Sequence, residues 1–191
     1  MRRRHFLLAA AGLPLLGSGA ACLIGASAEA QPTPGCGPAT PRQTAGPYFT
    51  PRAPLKRSLR EPGMDGEALR LEGRALDPRC RPLVGAKIEV WQADAAGQYD
   101  NQGFRLRGHV MANGEGEWRL DTILPGAYGG RTRHVHVKVY ATPQARPLTT
   151  QLYFPGEAGN DRDSLFDVRL LLQMTQTPEG RLGRYNFILG G

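Results

Sequence analysis

The stretch YGGRTRHVHVKVY, residues 128–140, ends in alternation with a period of two, the signature of a β-strand. It spends two of the chain's four histidines, His134 and His136, on that one strand. Residues i and i+2 of a strand project to one face with Cα atoms about 6.5–7 Å apart, close enough for two imidazoles to reach a single metal ion. Alone, an H-x-H pair favours the reading of a polar strand face, because imidazole carries no intrinsic commitment to metal. Other residues must separate the two.

Outward from this strand lie further strand-like runs: ALRLEGRAL, AKIEVWQA, GEWRLDTI, RHVHVKVYA, TTQLYF and, near the end, RYNFIL. The turn-rich segments DPRCRPLVG, ANGEGE and LPGAYGG punctuate them. Short strands without long helical patterns between them predict an all-β fold, an antiparallel sandwich or barrel. DSLFDVRLLLQM is compatible with a short helix or with a further strand. There is no internal repeat and no second core.

The chain has 191 residues, enough for one domain. Residues 1–30 read as a signal peptide: Arg2, Arg3 and Arg4 precede an apolar run that closes on Ala28-Glu29-Ala30. Arg3-Arg4-His5-Phe6-Leu7 fits a twin-arginine core, which exports an already folded protein, and places the mature chain in the periplasm or outside the cell. An ordinary secretory signal or a retained anchor are the alternatives; Gly12, Pro14 and Gly17 argue against a spanning helix. Cys22, after Gly19-Ala20-Ala21, is a poor lipoprotein match. Residues 31–66 begin with QPTPGCGPATPRQTAGPYFTPRAP, whose Pro and Gly content predicts an extended arm, and 67–191 form the expected sandwich.

Removing three arginines and one glutamate with the leader takes the formal charge from +7 to +5. The remaining arginines are interleaved with acids rather than gathered into a basic stripe, so a nucleic-acid partner is not expected. Loss of Cys22 leaves Cys36 on the arm and Cys80 in a turn, an even pair in an exported chain and hence a candidate disulfide stapling arm to sandwich.

Two tyrosines near turns are candidate oxygen ligands: Tyr128, six positions before His134, and Tyr99, just past the end of a strand. A phenol with an ordinary pKa near 10 binds as phenolate at neutral pH only if a strong Lewis acid displaces its proton, and hard phenolate with imidazole points to trivalent iron. Packing of each ring against the sandwich is the competing reading.

GPYF at 46–49, VWQADAAGQYDN at 90–101, FRLRGHVMANGEGEWRLDTILPGAY at 104–128, GRTRHVHVKV at 130–139 and TTQLYFPGE at 149–157 together resemble the intradiol ring-cleavage dioxygenases, most of all the exported, single-domain, protocatechuate 3,4-dioxygenase-like branch. The resemblance implies a β-sandwich with a non-haem Fe(III) held by Tyr99, Tyr128, His134 and His136. It also implies that Arg131 and Gln151 line the active site, stabilising negative charge as the ring opens, and that Tyr128 leaves the metal to take a proton from a catechol. Substrates would be catechol-type rings and O2, the product a cis,cis-muconate-type diacid. Which catechol is used stays open, as does whether the protein is a homo-oligomer, a common state in the family. The family often follows the tyrosine at position 128 with Pro; Gly129-Gly130 stands here instead, and a looser loop is expected. Tyr48 on the arm is a candidate pocket wall.

Competing assignments are weaker. A ferrous two-histidine, one-carboxylate site lacks an acid beside the pair. Copper or zinc on His134, His136 and His109 would require His109, which the resemblance leaves outside the ligand set. A secreted module binding aromatics or sugars without turnover would draw on Tyr48, Phe49, Trp91, Trp118 and Tyr153, although Trp91 and Trp118 are expected to fill the core.

Overall fold

A computed structural model describes residues 36–190. The leader expected at 1–30 and the first residues of the arm lie outside the described residues. Nine strands follow one another: β1 (Ala68–Leu76), β2 (Lys87–Trp91), β3 (Arg107–Met111), β4 (Glu117–Ile123), β5 (His134–Tyr140), β6 (Leu148–Tyr153), β7 (Gln173–Thr177), β8 (Gly180–Arg184) and β9 (Phe187–Ile188). Between β6 and β7 the only helical elements among the described residues are 3-10 turns at Asn160–Arg162 and Val168–Leu170. The ambiguous DSLFDVRLLLQM therefore divides into a turn and the start of β7.

The strands form two sheets, one ordered β4-β1-β8-β7 with β9 also pairing β1, the other β3-β2-β5-β6. The sandwich is antiparallel except where β1 meets the C-terminal segment: β8 and β9 both run parallel to it. Strands β3, β7 and β8 carry no clear signal in the sequence. RGHVM is short and interrupted by Gly108, and the β7–β8 hairpin, QMTQTPEGRLGR, is polar and largely solvent-facing, so neither alternates in hydrophobicity.

Period-two alternation sends Leu69, Leu71 and Ala75 of β1, Trp118 and Leu120 of β4, Ile88 and Val90 of β2, and Val135, Val137 and Val139 of β5 into the space between the sheets. The opposite face of β5 carries His134, His136, Lys138 and Tyr140. His134 and His136 are also buried, at 4% and 3% exposure, because the arm crosses this outer face. The arm is tied down along its length by main-chain hydrogen bonds: Gln43 N–H to Thr149 O, Lys56 N–H to His109 O and Leu59 N–H to Asp121 O. Cys36 and Cys80 form the expected disulfide. No helix among the described residues is long and apolar enough to cross a membrane.

Candidate metal centre

Strand register assembles the site before any loop contributes. Trp91 on β2 pairs Arg107 on β3 and His136 on β5, and His136 pairs Gln151 on β6. Arg107, Trp91, His136 and Gln151 thus form one row across all four strands, with His134 beside Tyr153 in the next. The two Nε2 atoms stand 3.2 Å apart. Nδ1 of His134 donates to the Thr132 carbonyl (2.7 Å), which leaves its Nε2 a lone pair, and His136 Nε2 is placed to donate to it while the buried His136 Nδ1 has no partner. Burial pushes both imidazoles below the usual histidine range, His136 further, with His134 beside it adding to the effect. Both are therefore neutral at pH 7, the form that binds metal.

Trp91 lies flat on the His136 ring, 4.9 Å between centroids and 4° between planes, with Phe49 of the arm tilted against its edge. It is buried, but behind the histidine on the outer face rather than between the sheets as expected; Trp118 is the tryptophan that packs in the core, against Phe187.

Tyr99 and Tyr128 arrive on two loops that touch backbone to backbone. Gly126 N–H donates to Asp94 O (2.7 Å). A Cβ on Gly97 (φ +81) would stand 2.1 Å from Ala127 O, and one on Gly126 would stand 2.4 Å from Gly97 N. Only glycine permits that approach. The Tyr99 hydroxyl lies 3.5 Å from His134 Nε2, and the rings of Tyr99 and Tyr128 meet edge-on at 5.4 Å. Gly129 and Gly130, far from loosening the loop, take positive φ at the two central positions of a tight turn closed by Arg131 N–H to Tyr128 O (2.7 Å) and Tyr128 N–H to Arg131 O (3.4 Å). Tyr48 on the arm stacks on Tyr99 (4.6 Å, 17°) and shares a 2.5 Å hydroxyl–hydroxyl hydrogen bond with Tyr128. That bond, followed by burial, raises the Tyr128 pKa; burial raises that of Tyr99, with Arg107 and Arg131 opposing. Without a cation both phenols keep their protons.

Arg131 faces the pair from β5's approach. Its Nε donates to both oxygens of Asp163 (2.8 and 2.7 Å), and Nη2 donates to Gln151 Oε1 (2.8 Å) and to the Tyr153 hydroxyl (3.2 Å). Burial pushes the Asp163 carboxyl up, but hydrogen bonds from Leu165 N–H, Arg131 and Thr132 N–H reverse this and hold it below the usual carboxylate range. Gln151, fully buried, donates in turn to Thr44 O of the arm (3.1 Å). The Tyr153 hydroxyl, pushed up to about 12 chiefly by burial, lies 2.8 Å from both Gln43 Oε1 and Leu165 O.

The structure brings all six candidates together: Tyr99, Tyr128, His134, His136, Arg131 and Gln151. His109 stands apart, its Nδ1 bonded to Ala53 O (2.7 Å). Sequence reasoning missed Asp163, which orients Arg131, and Arg107. An acid in a DSLFD turn carries no local mark of its partner, and RLRG reads as an ordinary basic stretch. Among the described residues no group of three or more His, Cys, Asp or Glu is placed to hold a metal ion; the oxygen beside the paired Nε2 atoms is a phenol hydroxyl, that of Tyr99, 3.5 Å from His134 Nε2.

This two-sheet sandwich, with paired histidines on its outer face and three tyrosines converging on them, has recognisable counterparts. A family model described as Dioxygenase matches residues 44–167. Catechol 1,2-dioxygenase of Pseudomonas sp. (strain EST1001) is 30% identical over 171 residues, covering 75% of this chain and 55% of that protein. Protocatechuate 3,4-dioxygenase beta chain of Burkholderia cepacia is 34% identical over 118 residues, covering 53% of this chain and 50% of that protein. Among solved structures, the dioxygenase domain of a dioxygenase carbohydrate-binding protein fusion from the cellulolytic bacterium Streptomyces sp. SirexAA-E is 44% identical, with a TM-score of 0.77 over 80% of this chain and 99% of that one. The chain belongs to the intradiol ring-cleavage dioxygenase family. It spans about half the length of these curated relatives.

Proposed function

We propose that this protein is an intradiol dioxygenase that opens catechol-type rings with O2 at a non-haem Fe(III) centre, giving cis,cis-muconate-type diacids. Tyr99, Tyr128, His134 and His136 would hold the iron. The observation that carries this reading is the convergence of two neutral imidazoles, Nε2 to Nε2 at 3.2 Å, with two phenols from loops locked to each other. Phenols that stay protonated alone require a strong Lewis acid to bind as phenolates, and trivalent iron, hard and compatible with imidazole, fits that donor set. Bound there, iron would supply the electronic activation that lets a catecholate react with dioxygen.

The remaining work falls to the chain. Tyr128 is the proton acceptor for a catechol hydroxyl, and Tyr48, at 2.5 Å, is placed to hold its hydroxyl when it turns aside. Arg131 places a guanidinium beside the ring, steadied by Asp163, and Gln151 adds a hydrogen-bonding amide that its contacts with Arg131 and Thr44 keep from rotating. Residues 67–191 are the catalytic sandwich, 31–66 an arm whose described part, from residue 36 onward, closes its outer face, and 1–30 a twin-arginine-type leader that sends the protein to the periplasm or beyond. The disulfide supports an oxidising destination. The binding-module reading loses ground, since Trp91, Trp118 and Tyr153 are buried rather than offered to a ligand.

The purified protein is expected to be reddish, to carry about one iron per chain, and to convert catechol to a muconate seen in the ultraviolet. His136→Ala should lose the iron, because half of the ligands sit on β5. Full iron occupancy in that variant would overturn the assignment.

A further inference from the structure

Arg107 carries a charge that the chemistry above leaves without a task. It is 1% exposed, yet none of its hydrogen bonds goes to a carboxylate. Nε and Nη2 donate to the main-chain oxygen of Asp100 (2.9 and 2.6 Å), and Nη1 donates to the main-chain oxygen of Tyr48. The Asp100 carboxylate is occupied by the N–H groups of Gln102, Gly103 and Arg105, each at 2.9 Å. Burying a guanidinium is costly, and burial indeed lowers the Arg107 pKa. Leu106, just before it, adds a second cost: φ of +53 in a non-glycine residue that is 2% exposed. Strain and a buried cation together mark a position held for something other than stability.

The two carbonyls identify that purpose. One belongs to Tyr48, on the arm; the other to the residue after Tyr99, on the β2–β3 loop. These segments are far apart in the chain, but their rings stack at 4.6 Å, and the guanidinium carbon lies 5.9 Å from the centre of the Tyr99 ring. Arg107 also stands in the cross-strand row of Trp91, His136 and Gln151. We propose that Arg107 is a positioning residue: its planar fork clamps the Tyr48 and Asp100 carbonyls and so sets where the Tyr48 and Tyr99 hydroxyls stand relative to the histidines. The inference rests on the dioxygenase reading of the site. A guanidinium suits the task because it donates in two fixed directions at once; an ammonium reaches one carbonyl, and an apolar side chain leaves both unsatisfied.

The test compares wild type, Arg107→Lys, Arg107→Met and, as a generic core defect in the other sheet, Leu120→Ala, iron-loaded for the spectra and kinetics and metal-free for proteolysis. Arg107→Met should move the tyrosinate charge-transfer band of the resting protein and lower kcat for catechol about tenfold to a hundredfold, with KM changed less than about threefold. Arg107→Lys should fall between it and wild type. Without metal, trypsin should cut the arm at Arg52 about tenfold faster in both Arg107 variants than in Leu120→Ala. If Arg107→Met does not fold, Arg107→Lys decides alone. Variants that keep the wild-type band, a kcat within about twofold and the Leu120→Ala cleavage rate overturn the proposal. A wild-type protein without a tyrosinate band sinks the dioxygenase reading instead, and the metal-free cleavage comparison still judges the clamp.

Discussion

Tyr128 and Asp163 show how much a single side chain's surroundings govern its chemistry. With the roles proposed above, Tyr128→Phe would remove a ligand and a proton acceptor together and would leave His134, His136 and Tyr99 to hold iron. The variant should keep its colour and lose about two to four orders of magnitude in turnover, the range for losing a positioned acid or base. Turnover of catechols by Tyr128→Phe at the wild-type rate would refute the proton-acceptor role. Asp163 has a fully buried carboxylate paired with Arg131 and a pKa held below its ordinary value. Its contribution to stability is therefore complete above the unfolded value of about 4 and fades as pH falls through the lower folded value. Asp163→Asn should cost on the order of 3 kcal/mol at neutral pH and flatten the acid limb of the unfolding curve, read by thermal melts at pH 3 and pH 7.

Strands and loops divide the labour of building the centre. β5 was legible from sequence because its alternation is local: one residue in two faces the core, which fixes His134 and His136 on the other face whatever lies nearby. The loops carrying Tyr99 and Tyr128 were legible only as turn-rich segments. Their mutual contact rests on Gly97 and Gly126, and no spacing rule links those positions. Gly126 and Gly97 (φ +81) form the lock between the loops, while Gly129 and Gly130, also at positive φ, form the tight turn after Tyr128. Gly97→Ala places a methyl 2.1 Å from Ala127 O at φ +81, and should cost about 1–3 kcal/mol and lower iron retention by parting the two tyrosines. Melting temperature and iron stoichiometry measured on the same preparation will show whether both effects occur.

Across the whole molecule the arm turns an outer sheet face into an interior. It delivers Tyr48 to Tyr128, Thr44 to Gln151 and Phe49 to Trp91, and the Cys36–Cys80 bridge holds its start. With the cysteines 44 positions apart, the chain-entropy model assigns the bridge about 4 kcal/mol. Cys80→Ser should lower the melting temperature accordingly, and reductant should do the same to wild type while leaving Cys80→Ser unchanged; equal melting of oxidised and reduced wild type would contradict the staple.

Patterns confined to neighbouring residues were readable without coordinates: alternation in β1, β2, β4, β5 and β6, turn chemistry between them, the paired histidines and an even pair of cysteines. Each depends on geometry repeated every residue or two, which the chain states locally. Which strand lies beside which is another matter. That β8 and β9 would run parallel to β1, that Trp91 would back His136 instead of filling the core, that Asp163 would meet Arg131 and that Arg107 would be buried between two carbonyls all depend on pairings between distant segments. Those pairings are settled by which faces can be desolvated together, and that competition is resolved only in the packed sandwich.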